Sequence, residues 1–177
     1  MSENRENQKK NATVASADES AANETVTLQD ESAMEVENDN LLRTAKARNE
    51  RAAHNDQIMA PRALAETVIR LLDGKRARGL KLLHVEEKTT LADYFVICNG
   101  TSNTQLRALS AEVEEKLMEQ GIEPLHIEGY NEATWILMDY GSVLVHIFNP
   151  ETRNFYNLEK LWNDATEIDI SSLLTED

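Results

Sequence analysis

The stretch "WILMDYGSVLVHIF", residues 135–148, predicts two β-strands joined by a tight turn at Tyr140 and Gly141. Side chains alternate across a strand, so the hairpin has two faces, and this turn pairs Trp135 with His146. One face is wholly aliphatic and carries Ile136, Met138, Val143, Val145 and Ile147. The opposite, mixed face carries Trp135, Leu137, Asp139, Ser142, Leu144, His146 and Phe148. The mixed face is interpreted as an active site, a docking surface or a second core layer with polar edges.

Helices and three more strands complete the predicted fold. Pro61 suits the first position of a helix, and apolar residues follow it at helical spacing. The stretch "GTSNTQ" predicts a second helix, with Ser102 as N-cap and Gln105 at the third position of a capping box. A last helix carries an apolar stripe of Leu158, Leu161, Trp162 and Ala165. Short apolar runs predict strands at 82–87, 94–99 and 125–129. The order α-β-β-α-β-β-β-α predicts a single α/β domain with a five-stranded mixed sheet and flanking helices.

The two ends of the chain lack the apolar periodicity of the middle. Residues 1–60 hold twelve acidic and seven basic residues among many Ser, Ala, Asn and Thr, which predicts a disordered acidic N-terminal extension. Residues 61–166 form the predicted domain, and residues 167–177 form a short acidic C-terminal tail.

The formal net charge of −14 indicates which partners the chain attracts. Nucleic acid backbones are bound through Lys and Arg, so direct sequence-specific binding to nucleic acid is not expected. An acidic domain is drawn to basic surfaces, and a basic protein is therefore the predicted partner.

Localisation follows from segments that the sequence lacks. The single cysteine, Cys98, excludes an internal disulfide and lies in an apolar strand as a predicted core thiol. The first residues have no apolar signal region, and no run approaches the roughly 20 apolar residues of a membrane span. The chain is expected to be cytoplasmic and to bind no membrane.

Catalytic and metal sites find little support in the residue pattern. His84, His126 and His146 fall in predicted strands, but no HxH, HExxH or CxxC spacing accompanies them, so no metal or cofactor is predicted. The strand followed by "GTS" could hold an anion at the helix start, as nucleotidyltransferase-type sites do, with Glu128 and Asp139 as carboxylates. A simple capping turn explains the same residues. The chain is not expected to be an enzyme, and a nucleotide-binding or nucleotidyltransferase enzyme remains the alternative.

Three stretches together resemble the bacterial ribosomal silencing factor family, also called the Iojap family. They are "DYFVICNGTSNTQLRALSAEVEEKL", "EGYNEATWILMDYGSVLVHIF" and "RNFYNLEKLW". The resemblance covers residues 61 to about 165, and the acidic extension before them departs from the compact family pattern. It implies a nucleotidyltransferase-like topology without that activity, and homodimers are compatible with it for the free protein. It further implies binding to the large ribosomal subunit through large-subunit protein fourteen, which blocks subunit joining and represses translation when nutrients are limiting.

The resemblance also assigns residues. Trp135, Asp139 and Tyr140 match the "W…DYG" element and are expected to contact the ribosomal protein, with Tyr140 at the tip of the hairpin. Other family elements are matched by residues that serve either contact or structure: Asp93, Gly100, Thr101, Ser102, Glu128, Gly129, Arg153, Tyr156 and Glu159. The mixed face of the hairpin, or its turn end, is therefore predicted to be a docking surface.

Overall fold

The computed structural model describes residues 15–175, with side chains from residue 37 onward. The chain divides into two units, with the boundary between Lys46 and Ala47. Helix α1, Ala15–Ile58, begins in the first unit and ends in the second. In the first unit Leu41 and Leu42 are exposed, and Arg43 forms an ion pair with Asp39 at 2.8 Å.

The second unit holds the sheet and five further helical segments. Its helices are α2 (Pro61–Gly74), α3 (Asn103–Met118), α4 (Pro150–Tyr156), α5 (Leu158–Leu161) and a 3-10 turn at Ser171–Leu173. Its strands are β1 (Arg78–His84), β2 (Tyr94–Asn99), β3 (His126–Glu128), β4 (Trp135–Asp139), β5 (Val143–Phe148) and β6 (Thr166–Ile168). None of the helices among residues 15–175 is long and apolar enough to cross a membrane.

The sheet has the strand order β3-β4-β5-β2-β1-β6, with β2 and β5 parallel and every other neighbouring pair antiparallel. The predicted α/β class and the mixed sheet are confirmed, but the sheet has one strand more than predicted. The extra strand β6 spans the boundary at residues 166 and 167 between the predicted domain and the predicted tail. Ile170 is buried beyond it, and the backbone N–H of Thr175 donates to Asp73 at 2.7 Å. Burial of Ile170 and the hydrogen bond from Thr175 therefore hold this end on the domain despite its acidic composition.

The sheet separates two hydrophobic layers. Helices α2 and α3 cover one side, and their apolar stripes meet the aliphatic face of the hairpin in the larger core. The mixed face forms a smaller layer, in which Phe95, Leu144 and Phe148 are buried and Trp135 and Trp162 are partly buried. The mixed face is thus a second core layer as well as a surface, and Trp135 lies at its margin.

The hairpin register differs from the prediction by two residues. Trp135 pairs with Phe148 rather than with His146. The backbone N–H of Tyr140 donates to the carbonyl of Val143 at 3.0 Å, so Gly141 and Ser142 form the loop. Gly141 has φ +91, a left-handed conformation that a two-residue hairpin loop demands of glycine at its first position. A shift of two residues leaves both faces unchanged, because side chains alternate with a period of two.

Tyr140 is not at an exposed hairpin tip, contrary to the prediction. Its side chain is 0% exposed and lies in the larger core. The shifted loop explains this, because Tyr140 becomes the last paired residue on the aliphatic face. Burial raises the pKa of its phenol well above the usual range, and Glu114 adds to the shift. The phenolic oxygen has no hydrogen-bond partner among the described residues.

The folded unit begins at Ala47 rather than at Pro61. Of residues 1–60, which were predicted to be a disordered extension, residues 1–14 lie outside the described part of the chain, and α1 is described over Ala15–Ile58. Asn55, near the end of α1, is buried at 2% exposure and bonds to the domain. These contacts are polar, so apolar periodicity could not reveal them.

The predicted last helix is two short helices. Asn149 caps α4 through its side chain and Pro150 occupies the first helical position, which starts a helix before the predicted one. Asn157 then adopts φ 45, which ends α4, and its side chain caps α5. Trp162 and Ala165 follow α5 and still pack on the smaller core, as their stripe predicted.

Burial of Tyr140 leads to a stability prediction. Tyr140→Ala should lower the free energy of unfolding by about 3–5 kcal/mol, because a large buried ring is removed from a packed core. Tyr140→Phe should change it by less than about 1 kcal/mol, because the hydroxyl has no partner to lose. Denaturant unfolding of both variants checks this. A Tyr140→Ala variant as stable as the parent would contradict the buried position.

Candidate functional site

An open groove lies where β4 begins and α4 ends. Its walls include three aromatic side chains, Trp135, Phe155 and Tyr156, and its volume is about 520 Å³. The Trp135 and Tyr156 rings are 4.8 Å apart, and Phe155 stands nearly perpendicular to Tyr156 at 86°. Phe155 is 81% exposed and Tyr156 is 50% exposed. Such exposure of adjacent aromatic rings is typical of an interaction site.

The polar part of the groove is acidic. Glu132 and Glu151 line it together with Gly129, Thr134 and Thr152, and the lining within the described chain holds no Lys, Arg or His. Aromatic faces attract cations through the quadrupole of the ring, and nearby carboxylates add a charge of the complementary sign. The groove therefore suits a basic side chain of a partner.

His146 supports Trp135 from beneath. The indole Nε1 of Trp135 donates to His146 Nδ1 at 3.3 Å, and the indole ring stacks on Phe148 at 4.9 Å. His146 is only 6% exposed, and burial lowers its pKa to about 4. A neutral imidazole can accept this hydrogen bond at Nδ1, so the buried histidine holds the indole at the groove.

Asp139 lies at the other end of β4, beside the loop. Residues 135 and 139 share a face but are about 13 Å apart along the strand. The carboxylate of Asp139 accepts from the backbone N–H of Gly141 at 2.7 Å and from the guanidinium of Arg48 at 3.0 Å. The three predicted contact residues are therefore not one cluster: Trp135 lines the groove, Asp139 lies at the loop, and Tyr140 is buried.

Arg153 and Glu159 form a brace rather than an exposed contact. The guanidinium of Arg153 donates to Glu159 at 2.8 Å, to the carbonyl of Gly79 at 2.8 Å and to the side chain of Asn99 at 2.9 Å. Burial opposes ionisation of Glu159, but hydrogen bonds from its own backbone N–H and from Arg153 prevail and lower its pKa. The brace ties α4 and α5 to the ends of β1 and β2 and so positions Tyr156.

The "GTS" element forms the predicted capping turn. Ser102 is the N-cap of α3 and accepts from the backbone N–H of Gln105 at 3.2 Å. The side-chain oxygen of Gln105 accepts in return from the backbone N–H of Thr101 at 2.6 Å. The backbone N–H of Gly100 donates to Phe148 at 2.9 Å. Thr101, Ser102 and Gln105 thus close the strand-to-helix turn by bonding to one another, and Gly100 bonds to the end of β5.

The remaining predicted residues lie at separate places. Glu128 is exposed and pairs with His126 at 2.9 Å. Gly129 has φ +74, and a Cβ there would lie 2.0 Å from the carbonyl oxygen of Trp135, so this turn requires glycine beside the groove. Asp93 precedes β2 at the loop end of the hairpin, where its backbone N–H donates to Ser142 at 2.8 Å. Burial raises the pKa of Asp93, and the nearby Glu86 and Asp56 carboxylates raise it further.

Asp139, one of the two carboxylates of the enzyme alternative, does not lie at the "GTS" turn. That turn follows Asn99, whereas Asp139 is aligned through Leu144 with Phe95, at the other end of β2. Phe95 lies four residues before Asn99 on β2, so Asp139 and the "GTS" turn are about 13 Å apart along the strand direction. Within residues 37–175, no group of three or more His, Cys, Asp or Glu is placed to hold a metal ion.

Several groove residues escaped the sequence prediction. Phe155 lies within "RNFYNLEKLW" and Glu132 within "EGYNEATW", but neither was singled out, and Glu151 lies outside the stretches that resemble the family. The sequence held one signal for Phe155, which is its position directly before Tyr156 and Asn157. Two adjacent aromatic side chains on one short helix cannot both face a core, so one of them must be exposed. The acids gave no signal, since their convergence depends on the fold.

Sequence comparison connects this geometry with a known family. Residues 57–177 match the family model described as "Ribosomal silencing factor during starvation". The chain belongs to the ribosomal silencing factor family. The match includes the hairpin, the groove and the brace, but it leaves most of α1 outside.

Relatives in several organisms share this region. The ribosomal silencing factor RsfS of Halalkalibacterium halodurans is 37% identical over 117 residues, which are 66% of this chain and 100% of that protein. The RsfS of Bacillus subtilis is 44% identical over 98 residues, 55% of this chain and 83% of that protein. A crystal structure from Chromobacterium violaceum is similar with a TM-score of 0.58 at 30% identity, covering 59% of this chain and 88% of that one.

Burial of His146 predicts a pH dependence of stability. The pKa is about 4 in the folded chain and 6.5 for an unperturbed histidine, so between these values the unfolded chain binds more protons. Neutral His146 therefore contributes its full stabilisation above pH 6.5. As the pH falls towards 4, this residue's contribution to the free energy of unfolding decreases by about 3 kcal/mol. His146→Leu should lose less stability over this range, measured by denaturant unfolding at each pH. Equal losses in both chains would contradict a neutral buried histidine.

Proposed function

We propose that the chain is a ribosomal silencing factor that binds the large ribosomal subunit through large-subunit protein fourteen. By occupying the surface on which the small subunit joins, it prevents subunit joining and represses translation under nutrient limitation. Membership of the silencing factor family supports the coarse function. The finer statement, the partner and its surface, rests on the groove.

The observation that carries this proposal is the exposed aromatic and acidic groove at Trp135. Interfaces draw much of their binding energy from a few aromatic anchors, and Trp and Tyr are enriched among them. The carboxylates at Glu132 and Glu151 fit a basic ribosomal protein, as does the net charge of −14. Tyr156 and Phe155 join Trp135 as contact residues, whereas Tyr140 acts by supporting the hairpin from the core.

The mechanism is steric and needs no chemistry. A bound domain excludes any other surface from the area it covers, so its inhibition follows the fraction of large subunits that are occupied. The rigid brace at Arg153 and the indole support at His146 hold the anchors in place before binding, which reduces the ordering cost of association. The cytoplasm as the site of action and a homodimer of the free protein stay predictions, and sedimentation of the purified chain tests the dimer.

Phe155 is the sharpest probe of the groove. Phe155→Ala should weaken binding to purified large subunits roughly thirtyfold, because truncation of an interface anchor costs about 2 kcal/mol or more. Its melting temperature should stay near that of the parent, since the ring is 81% exposed. Co-sedimentation through sucrose gradients and a subunit-joining assay measure the effect.

Met118→Ala is the matched control, because Met118 is 51% exposed at the end of α3, on the other side of the sheet. It should bind and inhibit like the parent. If folded Phe155→Ala prevents subunit joining as well as Met118→Ala, the groove is not the docking surface.

Salt distinguishes a protein partner from ribosomal RNA. Surface charges are screened over about 8–10 Å near physiological salt, so affinity for large subunits should fall less than about tenfold between 50 and 200 mM salt. A protein that neutralises six to ten phosphates loses about a thousandfold or more over that range. Titrations at these salt concentrations provide the measurement, and a loss of the larger size would contradict docking on a protein.

A further inference from the structure

The last turns of α1 cover the loop end of the hairpin. This covering segment comprises residues 47–58, which belong to the same unit as the sheet. Five of its side chains meet the hairpin or the turn before β3: Arg48, Arg51, Ala52, Asn55 and Asp56. They recur at spacings of three and four, so they form one face of the helix.

The contact of Arg48 reproduces what a basic partner would offer. Its Nε donates to one carboxylate oxygen of Asp139 at 3.3 Å, and its Nη2 donates to the other at 3.2 Å. Forked pairing of this kind is the strongest geometry that a carboxylate has for an arginine. The side chain of Asp139 is left only 17% exposed. An arginine of this chain thus occupies the carboxylate that the family motif assigns to partner contact.

The other contacts bind the backbone of the loop region. The side chain of Asn55 donates to the carbonyl of Glu123 at 2.9 Å and to that of Tyr140 at 3.3 Å. Ser142 donates its hydroxyl to Asp56 at 2.6 Å. A Cβ built at Gly141 would lie 2.4 Å from the Cβ of Ala52, so the helix lies directly on the loop.

The composition of this contact indicates that it can open. Arg48, Asn55 and Asp56 contribute polar contacts, which are worth less in net stability than apolar packing of similar extent. Asp56 also lies close enough to Asp93 to raise the pKa of that carboxyl, so the two acids repel when both are ionised. The family match begins at residue 57, so the covering segment lies almost wholly outside the part shared with the family.

We propose that residues 47–58 form an internal cover that competes with the basic ribosomal partner for the loop end of the docking surface. The inference rests on the proposed function, because it assigns regulation to that same surface. In the covered state the groove at Trp135 is open while Asp139 and the loop are occupied. A partner that uses both must displace the helix, so its apparent affinity is reduced by the fraction of molecules that are covered. A cover open in about one molecule in ten lowers affinity about tenfold.

Two proline variants of the full chain test the cover. Ala52→Pro breaks the helix where it crosses the loop, since proline removes a helical hydrogen bond and clashes with the carbonyl of Arg48. Ala45→Pro is the matched control, because it makes the same change in α1 before the covering segment begins. Ala52→Pro should bind purified large subunits about tenfold more tightly than the parent, and Ala45→Pro should bind like the parent.

A charge-reversal pair tests the same cover without altering the backbone. Arg48→Glu replaces the pairing with Asp139 by repulsion and should also strengthen binding. Arg43→Glu makes the same change at an exposed position of the first unit, which controls for the added negative charge. If both covering-segment variants bind as the parent does, while Phe155→Ala binds less, the cover is overturned and the docking groove stands. If neither the parent nor any variant binds large subunits, the proposed function fails and the cover fails with it.

Discussion

The pairing of β5 with β4 on one side and with β2 on the other is the constraint on which the other elements depend. All six residues of β5 are buried, so this strand is fixed by packing on both faces and by hydrogen bonds on both edges. Its register sets Trp135 opposite Phe148 and places the groove at one end of the hairpin. The same register places the loop, Asp139 and the covering segment at the opposite end.

The alternation of side chains along the strands made much of the fold predictable from the sequence. It gave both faces of the hairpin, the α/β class and the aliphatic core, because these depend only on local period and burial. It could not fix the loop, since a shift of two residues preserves every face, and Tyr140 was consequently expected at the surface. The two registers differ in the residue at the first loop position, where both common two-residue loops need a positive φ: Gly141 takes that position with φ +91, whereas Tyr140 would be strained there.

The sequence predicted only part of the candidate site. Trp135 and Tyr156 were singled out through the family motifs, but the groove also depends on Phe155, Glu132 and Glu151, which meet only after α4 folds against the sheet. The covering segment was missed because its contacts are made by polar side chains in a stretch with the composition of a disordered chain. Polar pairing depends on partners far along the chain, and a periodic pattern does not report it.

Under the proposed function, the chain is a preformed docking domain with an anchor groove at one end and a covered loop at the other. The central claim is that the groove touches a ribosomal protein. The most direct measurement is photo-crosslinking from the full chain carrying a benzoylphenylalanine in place of Phe155, mixed with purified large subunits. We predict one crosslinked partner, a basic protein of the large subunit, and no crosslink from the same group placed at Met118. A crosslink to ribosomal RNA from the Phe155 position, or equal crosslinking from both positions, would contradict the claim.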